Sequence, residues 1–348
     1  MHFSGDPEAM TILHEVTRIL SPVYLVGGSV RDSLLGLTPR DYDLATPLDP
    51  DQIEQAIRQV NKRPYLIGKR FGTVGFKTNG HFVEVTTFRT ERYVRGSRKP
   101  QVEFTQDITY DLSRRDFTIN AIALRDDGHL IDPFGGLADL NARLIRTVNK
   151  PYDRYNEDPL RMLRAARLAA QLHFTVDLDT EKQAAKKAHQ ILEVSKERWT
   201  HELDKMLVTD HPEIGLEFLA ITRLLHFILP ELAIQDGFDQ NSPYHQLDLW
   251  QHTLKTIQLA PKDLFIRWAA LLHDIGKPYV QTVNRHNYSN YSNYAHHDIV
   301  GAELVSKIGH YLHWSKERTA TIRHLVRDHL HDDSPIGNAD ARARFQDK

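Results

Sequence analysis

The stretch that decides the fold of the first domain is Leu25-Val26-Gly27-Gly28-Ser29-Val30-Arg31-Asp32, followed by Arg40-Asp41-Tyr42-Asp43-Leu44. An apolar run enters a double glycine, and two aspartates one residue apart follow it. Because alternate residues of a strand point to the same face, Asp41 and Asp43 can present two carboxylates to one point. Such carboxylates hold Mg²⁺ together with substrate phosphates, and glycines let backbone N–H groups approach a triphosphate closely. The pattern predicts nucleotidyl transfer assisted by two metal ions.

The composition is that of an ordinary globular protein. The chain has 348 residues, a net charge of −2 and no cysteine, so its length predicts two or three domains. The absence of cysteine excludes disulfides and thiolate metal sites. No apolar run reaches the length of about 18 residues that a transmembrane helix needs, and residues 1–6 lack the features of a secretory signal. We therefore expect a cytoplasmic protein with no membrane partner.

The first part of the chain mixes helical and strand signals. Residues 8–20 and 51–60 have helical patterns, and two β-rich runs at 71–77 and 81–87 meet at Asn79-Gly80, a strong hairpin signal. This order predicts an α+β head over residues 1–138, built on a mixed or antiparallel sheet.

From about residue 137 onward, helical patterns take over. We expect an all-α neck over residues 139–235, a second all-α domain over 236–335, and a short C-terminal extension over 336–348. Of the 20 histidines, 14 lie after residue 200, which favours a metal-binding region in the second all-α domain.

Four further motifs follow the aspartate pair in order. They are Asp111-Leu112-Ser113-Arg114-Arg115-Asp116-Phe117-Thr118-Ile119-Asn120-Ala121, Asp132-Pro133-Phe134-Gly135-Gly136, Glu157-Asp158-Pro159-Leu160-Arg161 and Glu197-Arg198-Trp199-Thr200-His201-Glu202. Together with the glycine turn and the aspartate pair, this set resembles the class II tRNA nucleotidyltransferases and their bacterial poly(A) polymerase relatives. The resemblance covers residues 20–235, and it implies a polymerase beta-like head followed by a helical neck.

The resemblance also implies roles for individual residues of the head and neck. Asp41 and Asp43 would hold Mg²⁺, and Glu84 would be a third catalytic carboxylate or the partner of an arginine. Arginine forks suit phosphate groups, and Asp116 is expected to orient them or to contact the ribose. The residues implied for nucleotide binding are Gly28, Arg31, Arg114, Arg115, Asp116, Asn120, Asp158, Arg161, Arg164 and Arg167.

Within that set, Asp158 and Arg161 lie three residues apart, which predicts one shared helix face. A carboxylate and a guanidinium can read the Watson–Crick edge of a base. In the resembled family this motif selects CTP and ATP without a nucleic-acid template. An ion pair between the two side chains is the alternative, and both can hold. Arg164 and Arg167 continue the same predicted face and are expected to contact substrate phosphates or RNA.

A second constellation follows the neck. His252 precedes Leu271-Leu272-His273-Asp274-Ile275-Gly276-Lys277-Pro278, His296-His297-Asp298 and Asp328-His329. It resembles the HD phosphohydrolase superfamily over residues 245–332. The resemblance implies His252, His273 and Asp274 as ligands of Mg²⁺ or a divalent transition metal, with the fourth ligand open between His297, Asp328 and His329.

Some tRNA nucleotidyltransferases carry an HD domain with phosphatase and 2′,3′-cyclic phosphodiesterase activity. The alternative is that the HD site is retained for its structure and is catalytically poor, because a fold does not establish a function.

Several activities share these motifs. Segment 92–100 resembles the flexible loop that CC-only enzymes lack, which disfavours addition of CC alone. Our leading expectation is a tRNA nucleotidyltransferase that adds or repairs the 3′-CCA end of tRNA from CTP and ATP. The alternatives are an A-adding enzyme, a bacterial poly(A) polymerase, an HD phosphohydrolase with a nucleotide- or RNA-binding head, and a tRNA-end sensor without turnover. After residue 335 the chain is short for the resembled family.

Overall fold

A computed structural model describes residues 3–39, 41–92, 101–242, 247–283, 291–331 and 334–345. The segment 93–100, most of the predicted flexible loop, lies outside this range. The chain divides into two compact units, Met1–Asp158 and Pro159–Lys348. Among the described residues, no helix is long and apolar enough to cross a membrane.

The first unit combines helices with a mixed sheet. Its strands are β1 (Tyr24–Val26), β2 (Tyr42–Thr46), β3 (Thr73–Thr78), β4 (His81–Thr87), β5 (Arg89–Arg92), β6 (Gln101–Phe104), β7 (Ala123–Leu124), β8 (Leu130–Ile131) and β9 (Leu144–Ile145). Its helices are α1 (Pro7–Thr17), α2 (Gly28–Leu34), α3 (Pro50–Gln59), α4 (Ile108–Ser113), α5 (Gly136–Asn141) and α6 (Pro151–Glu157), with 3₁₀ turns at Lys69–Phe71 and Thr118–Asn120.

Six strands form one sheet in the order β3-β4-β2-β1-β7-β8. The β2–β4 pair is parallel and the other four pairs are antiparallel. Strands β5 and β6 form a separate antiparallel pair. The mixed-sheet α+β head expected from the sequence is confirmed.

Strand β2 alternates between buried and exposed residues at its start, whereas Ala45 and Thr46 at its end are buried. Tyr42 and Leu44 are buried in a core that includes Ile12 of α1 and Ile53 of α3, whereas Asp43 is exposed. Burying an apolar side chain of this size contributes about 1.5–3 kcal/mol. The register of β2 is therefore fixed by its apolar residues, since a slip of one position would bury the carboxylate instead.

The hairpin expected at Asn79-Gly80 is confirmed. Strands β3 and β4 pair antiparallel with Thr78 opposite His81, and φ is 46° at Asn79 and 81° at Gly80. A two-residue turn that matches the twist of a hairpin requires positive φ at both positions, which Asn and Gly tolerate. The turn fixes the register of β4, which lies beside β2 in the sheet.

The second unit is helical, as the sequence predicts. Its helices are α7 (Leu160–Leu172), α8 (Leu178–Lys187), α9 (Lys196–Leu207), α10 (Pro212–Ile221), α11 (Leu224–Ile228), α12 (Pro230–Ala233), α13 (Leu249–Leu259), α14 (Leu264–Leu272), α15 (Lys277–Val280), α16 (His297–Tyr311), α17 (Lys316–Arg327) and α18 (Gly337–Phe345). A 3₁₀ turn spans Ala188–Glu193, and the short strands are β10 (Thr175–Val176), β11 (Thr282–Val283) and β12 (Ser292–Asn293).

Asp204 of α9 ties three helices of this unit together. Its carboxylate accepts hydrogen bonds from the indole Nε1 of Trp268 on α14, at 2.7 Å, and from the guanidinium of Arg318 on α17, at 2.6 and 2.8 Å. A bidentate arginine pair of this kind adds geometric specificity to the packing. The helices on which the histidine motif depends are thereby held against the rest of the unit.

The prediction that Asp158 and Arg161 share one helix face is wrong. Helix α6 ends at Glu157, Asp158 has an extended backbone with φ −145° and ψ 100°, and α7 begins at Leu160. The physical reason is Pro159, because the residue before a proline is pushed out of the helical region.

Gly276 permits a close approach within the second unit. A Cβ atom at this position would overlap the backbone oxygen of His297 and would lie 2.8 Å from the backbone nitrogen of Gly301. The absence of a side chain therefore lets the start of α16 pack directly on the segment that follows Asp274.

The substitution Gly276→Ala tests this packing. We expect a loss of about 1–3 kcal/mol of stability, the usual cost of overpacking a filled interior, measured by calorimetric unfolding of the whole chain. Glu303→Ala, at an exposed position of α16, is the matched control and should leave the transition unchanged. An alanine at 276 that unfolds like the parent would contradict the close-packing argument.

Candidate active sites

Three carboxylates lie on the open face of the sheet in the first unit. Asp41 directly precedes β2 and Asp43 lies on it, and both are exposed while Tyr42 between them is buried. Glu84 on β4 is also exposed and is the register partner of Asp43 across the parallel β2–β4 pair. The structure thus brings the predicted pair and Glu84 to one face.

The buried hydroxyl of Ser29 joins the glycine turn to the aspartate pair. It donates to the backbone oxygen of Asp41 at 3.1 Å and accepts from the backbone N–H of Asp43 at 2.9 Å. Sequence reasoning gave Ser29 no role of its own. Its place directly after the double glycine is the only sequence signal that could have indicated one.

Gly27 allows an arginine to approach the carboxylates. Its φ is +73°, and a Cβ atom here would lie 2.8 Å from the Nη1 atom of Arg115 and 3.6 Å from the Oδ2 atom of Asp43. Both the backbone conformation and the space require glycine. Arg115 therefore lies close to Asp43, beside the turn.

The electrostatics of the face favour a bound cation. Neighbouring protein atoms displace water from the Asp43 carboxylate, which raises its pKa; Arg115 opposes this effect and Asp41 adds to it. Loss of hydration and then the charges of Asp43 and Asp41 raise the pKa of Glu84 as well. Carboxylates that repel one another on one surface are a donor set suited to a divalent metal ion.

A hydrogen-bonded relay orients Arg31. Its Nη1 donates to the Oδ1 atom of Asn120 at 2.6 Å, and the Nδ2 atom of Asn120 donates to the Oδ1 atom of Asp116 at 3.0 Å. Asp32 also pairs with Arg31, at 2.7 Å. Three residues predicted to bind nucleotide are thus linked in one buried chain.

Asp111 holds the other two predicted phosphate ligands. Its Oδ1 atom is 2.7 Å from Nη2 of Arg114, and its Oδ2 atom is 3.2 Å from Nη2 of Arg115. The Asp111 side chain is 1% exposed. Sequence reasoning missed its role, although a carboxylate three and four residues before two arginines on a helix is a recognised pairing signal.

Within the second unit, Arg167 and Arg161 lie in different environments. Arg167 on α7 donates from Nε to Glu202 of α9 at 2.5 Å and from Nη1 to Gln171 at 2.9 Å. The Glu197–Glu202 motif thus supplies the carboxylate that joins α7 to α9. Arg161 is buried in the first turn of α7, and Arg164 lies one turn further on and is half-buried.

A buried cluster of histidines and aspartates lies in the second unit. His252 on α13 is 2.8 Å, through Nε2, from the Oδ1 atom of Asp340 on α18. The Oδ2 atom of Asp274 is 3.2 Å from Nε2 of His273 and 3.6 Å from Nε2 of His252. These four side chains form one candidate metal-binding group.

A second group shares Asp274. Its Oδ1 atom is 3.2 Å from Nε2 of His297 and 3.8 Å from Nε2 of His329. The two Nε2 atoms are 3.3 Å apart. All three residues are buried.

The tautomers of three histidines fit a metal ion. The Nδ1 atoms of His273, His297 and His329 lie 2.8, 2.8 and 2.6 Å from the backbone oxygen three residues earlier in the chain. Because a carbonyl oxygen only accepts, each Nδ1 carries the proton, and each Nε2 presents its lone pair to the cluster. Converging lone pairs and carboxylate oxygens require a cation between them.

Without a metal ion, a proton on His273 supplies the positive charge beside these carboxylates. Burial lowers the pKa of His273, but Asp274 and Asp340 outweigh it and raise this pKa to about 10. Burial, and then the charge of His273, lowers the pKa of His329 to about 4. The cluster therefore attracts positive charge and concentrates it beside Asp274.

The fourth ligand expected beside His252, His273 and Asp274 stays a prediction. His297 and His329 lie in the second group, and the carboxylate that lies beside the first three residues is Asp340, which sequence reasoning missed. Asp328 belongs to neither group; its carboxylate pairs with Nδ1 of His324 at 3.1 Å. No local pattern connects α18 to the HD motif, so only the folded chain reveals that this carboxylate lies beside His252.

Three family models match consecutive parts of the chain. The poly A polymerase head domain matches residues 23–146, the probable RNA and SrmB-binding site of polymerase A matches 173–235, and the HD domain matches 249–345.

The crystal structure of the CCA-adding enzyme of Bacillus stearothermophilus in complex with CTP aligns with 98% of this chain and 82% of its own, with a TM-score of 0.66 and 31% identity. This chain belongs to the family of CCA-adding enzymes. The CCA-adding enzyme of Bacillus subtilis is 42% identical over 273 residues, which are 77% of this chain. The chain spans 64% of the length of that relative.

A tRNA nucleotidyltransferase solved with a primer tRNA and an incoming ATP analog is similar over 96% of this chain and 94% of its own, with a TM-score of 0.60 and 25% identity. This alignment takes in the head, the helical region and the HD domain of the chain. Both metal-site candidates lie within the matched head and HD models.

The charge of Asp111 should contribute to the acid sensitivity of the first unit. Burial raises the pKa of Asp111, but the charges of Arg115 and Arg114 together lower it by more. The pKa in the folded protein therefore lies below its usual value. A lowered folded pKa gives stability that is present above the unfolded pKa of about 4 and is lost as the pH falls through the folded pKa.

Asp111→Asn should therefore cost up to about 3–5 kcal/mol at pH 7 and remove this part of the acid dependence. Urea unfolding followed by circular dichroism between pH 7 and pH 3 checks both effects. Asp126→Asn, at an exposed position of the same unit, is the control. A parallel acid dependence in Asp111→Asn and the parent would contradict the assignment.

Proposed function

We propose that this chain is a template-independent tRNA nucleotidyltransferase that adds or repairs the 3′-CCA end of tRNA from CTP and ATP. The observation that carries the proposal is the convergence of Asp41, Asp43 and Glu84 on one sheet face beside a glycine turn, in a member of the CCA-adding enzyme family. With tRNA as its partner, the protein belongs in the cytoplasm.

Asp41 and Asp43 would hold Mg²⁺, with Glu84 as the third carboxylate. When bound, Mg²⁺ lowers the pKa of an attacking hydroxyl and neutralises charge on a leaving pyrophosphate. The chain's own residues position the reactants. Ser29 fixes the backbone of both aspartates, and the double glycine lets the triphosphate approach.

The arginines of the head supply the rest of the triphosphate site. Arg31, oriented through Asn120, and Arg115, held by Asp111 beside Gly27, place two guanidinium groups near the turn. Their forks match phosphate oxygens. In the proposed reaction the tRNA 3′ hydroxyl attacks the α-phosphate, the bond to the β-phosphate breaks, and pyrophosphate leaves.

Nucleotide incorporation tests this assignment. With tRNA that lacks CCA and labelled CTP and ATP, Asp41→Ala should lose at least about 100-fold in rate, since several kcal/mol of charge stabilisation disappear. Asp126→Asn and Asp274→Ala should incorporate nucleotide at the parental rate. Product lengths separate CCA, A-only and poly(A) addition, and undiminished incorporation by Asp41→Ala would refute the proposal.

The proposal assigns base selection to the Glu157–Arg161 motif, with Asp158 and Arg161 contacting the base. We expect Arg161→Ala to lose about 10- to 100-fold of the preference for CTP and ATP over GTP and UTP, because one specific contact is worth about 1–3 kcal/mol. Competition between nucleotides in the incorporation assay measures it. Arg223→Ala, outside the proposed site, is the control; an unchanged preference in Arg161→Ala would exclude this role.

A second activity is favoured by the Nε2 atoms that converge on Asp274. We infer a metal-dependent phosphohydrolase that acts on phosphate esters, including a 2′,3′-cyclic phosphate at an RNA end. Imidazole-rich sites suit transition metals, while Mg²⁺ prefers oxygen ligands, so we propose a divalent transition metal here. Hydrolysis of a 2′,3′-cyclic phosphate at an RNA end measures this activity. It should be lost in Asp274→Ala and kept in Asp41→Ala.

A further inference from the structure

We infer that Phe82 and Tyr65 form an aromatic platform on which the 3′-terminal base of the acceptor RNA stacks during nucleotidyl transfer. This inference rests on the nucleotidyltransferase proposed above. It assigns a binding site for the second substrate, the RNA whose 3′ hydroxyl attacks. The nucleotide site at the glycine turn uses neither residue.

Phe82 lies on the same face of the sheet as the three carboxylates. It comes two residues before Glu84 on β4, so both side chains leave the strand in one direction, about 7 Å apart along it. Val83 and Val85 point the opposite way and are buried in the core. Phe82 is half-buried and Glu84 is exposed. An aromatic ring therefore borders the face that carries a candidate catalytic carboxylate.

Gly75 on β3 makes room for the ring of Phe82. It is the register partner of Glu84, and a Cβ atom here would lie 2.6 Å from Cζ of Phe82 and 3.3 Å from its Cε1 and Cε2 atoms. A glycine inside a strand often marks such a close approach. The ring of Phe82 thus leans across β3 and lies over the backbone of Gly75.

Tyr65 extends the aromatic surface past the edge strand β3. Its backbone pairs with that of Gly75, with N···O distances of 2.7 and 3.0 Å. Its ring meets that of Phe82 edge-on, with centroids 5.4 Å apart and an angle of 74° between the ring planes. T-shaped pairs of this kind are favourable, so each ring helps to hold the other. Tyr65 is 39% exposed, which leaves the platform open to a ligand.

The charge beside the platform favours a nucleic acid as its ligand. Lys77, the register partner of Phe82, is exposed on the same face and supplies a positive charge for a backbone phosphate. Single-stranded nucleic acids bind to this combination of aromatic rings and cations. Stacking accepts every base, as it must at a site that receives a new 3′-terminal nucleotide after each addition.

The strand order indicates which substrate occupies the platform. The sheet runs β3-β4-β2-β1, so the carboxylates of β2 and β4 separate the platform at β3 from the glycine turn that follows β1. The proposed triphosphate site lies at that turn, with Arg31 and Arg115. Because the attacking and leaving oxygens lie in line across the phosphorus, the RNA hydroxyl approaches from the side away from the turn. The platform lies on that side.

A fluorescent base tests the contact without turnover. The full chain is mixed with Mg²⁺ and with tRNA that lacks CCA and ends in 2-aminopurine, whose emission falls when the base stacks. No nucleotide is present. We expect the parent and Phe82→Tyr to quench the emission, and Phe82→Leu, which keeps an apolar side chain over Gly75, to leave it near that of the free RNA. Phe71→Ala, at an exposed aromatic residue outside the sheet, is the control and should quench like the parent.

Steady-state incorporation separates RNA binding from nucleotide binding. Phe82→Leu should raise the KM for tRNA about 5- to 100-fold, the range that one base–aromatic stack supplies, and leave the KM for CTP unchanged. Phe82→Tyr should keep the parental KM for tRNA. Circular dichroism identifies a variant that fails to fold. Tyr65→Leu, at the more exposed position, should also raise the KM for tRNA and then carries the measurement.

Parental quenching and a parental KM for tRNA in Phe82→Leu would overturn the inference. A raised KM for CTP with an unchanged KM for tRNA would overturn it too, since the platform would then hold the incoming nucleotide. Quenching that depends on Phe82, in a chain that incorporates no nucleotide, would refute the transferase proposal and leave the platform as a binding site for an RNA end.

Discussion

The alternation of strand β2 is the constraint on which the first unit depends. Tyr42 and Leu44 enter the apolar core, so the residues between and before them are forced to the open face. The hydroxyl of Ser29 then locks both aspartate backbones to the glycine turn. The hydrophobic effect thus positions the carboxylates, because a shift of one residue would exchange a buried tyrosine for a buried charge.

In both units, side chains of like charge lie close together, and side chains of opposite charge from other elements stabilise them. In the first, Asp111 holds Arg114 and Arg115 close to carboxylates that repel one another. In the second, Asp274 is surrounded by imidazoles and Lys277. Such arrangements are costly to bury unless each charge finds a counter-charge, which is why both sites are suited to binding ions rather than to packing alone.

Local sequence patterns were sufficient for much of this structure. The hairpin at Asn79-Gly80, the alternation around Asp43 and the helical second half all depend on neighbours within a few residues. Asp158 shows where a spacing rule fails, since Pro159 breaks the helix that the rule assumes. Asp340 shows a different limit: its position beside His252 depends on the packing of α18 against α13, a long-range contact that no short motif encodes.

The position of Asp340 on the last described helix has a consequence for how the second unit is assembled. Its carboxylate meets His252 only when α18 has packed against α13, so this group is complete only once that helix is in place. A cation bound by this group would stabilise the packing of α18, because its binding free energy is added to that of the helix contact. Binding of the ion and packing of α18 are thus coupled, so each one favours the other.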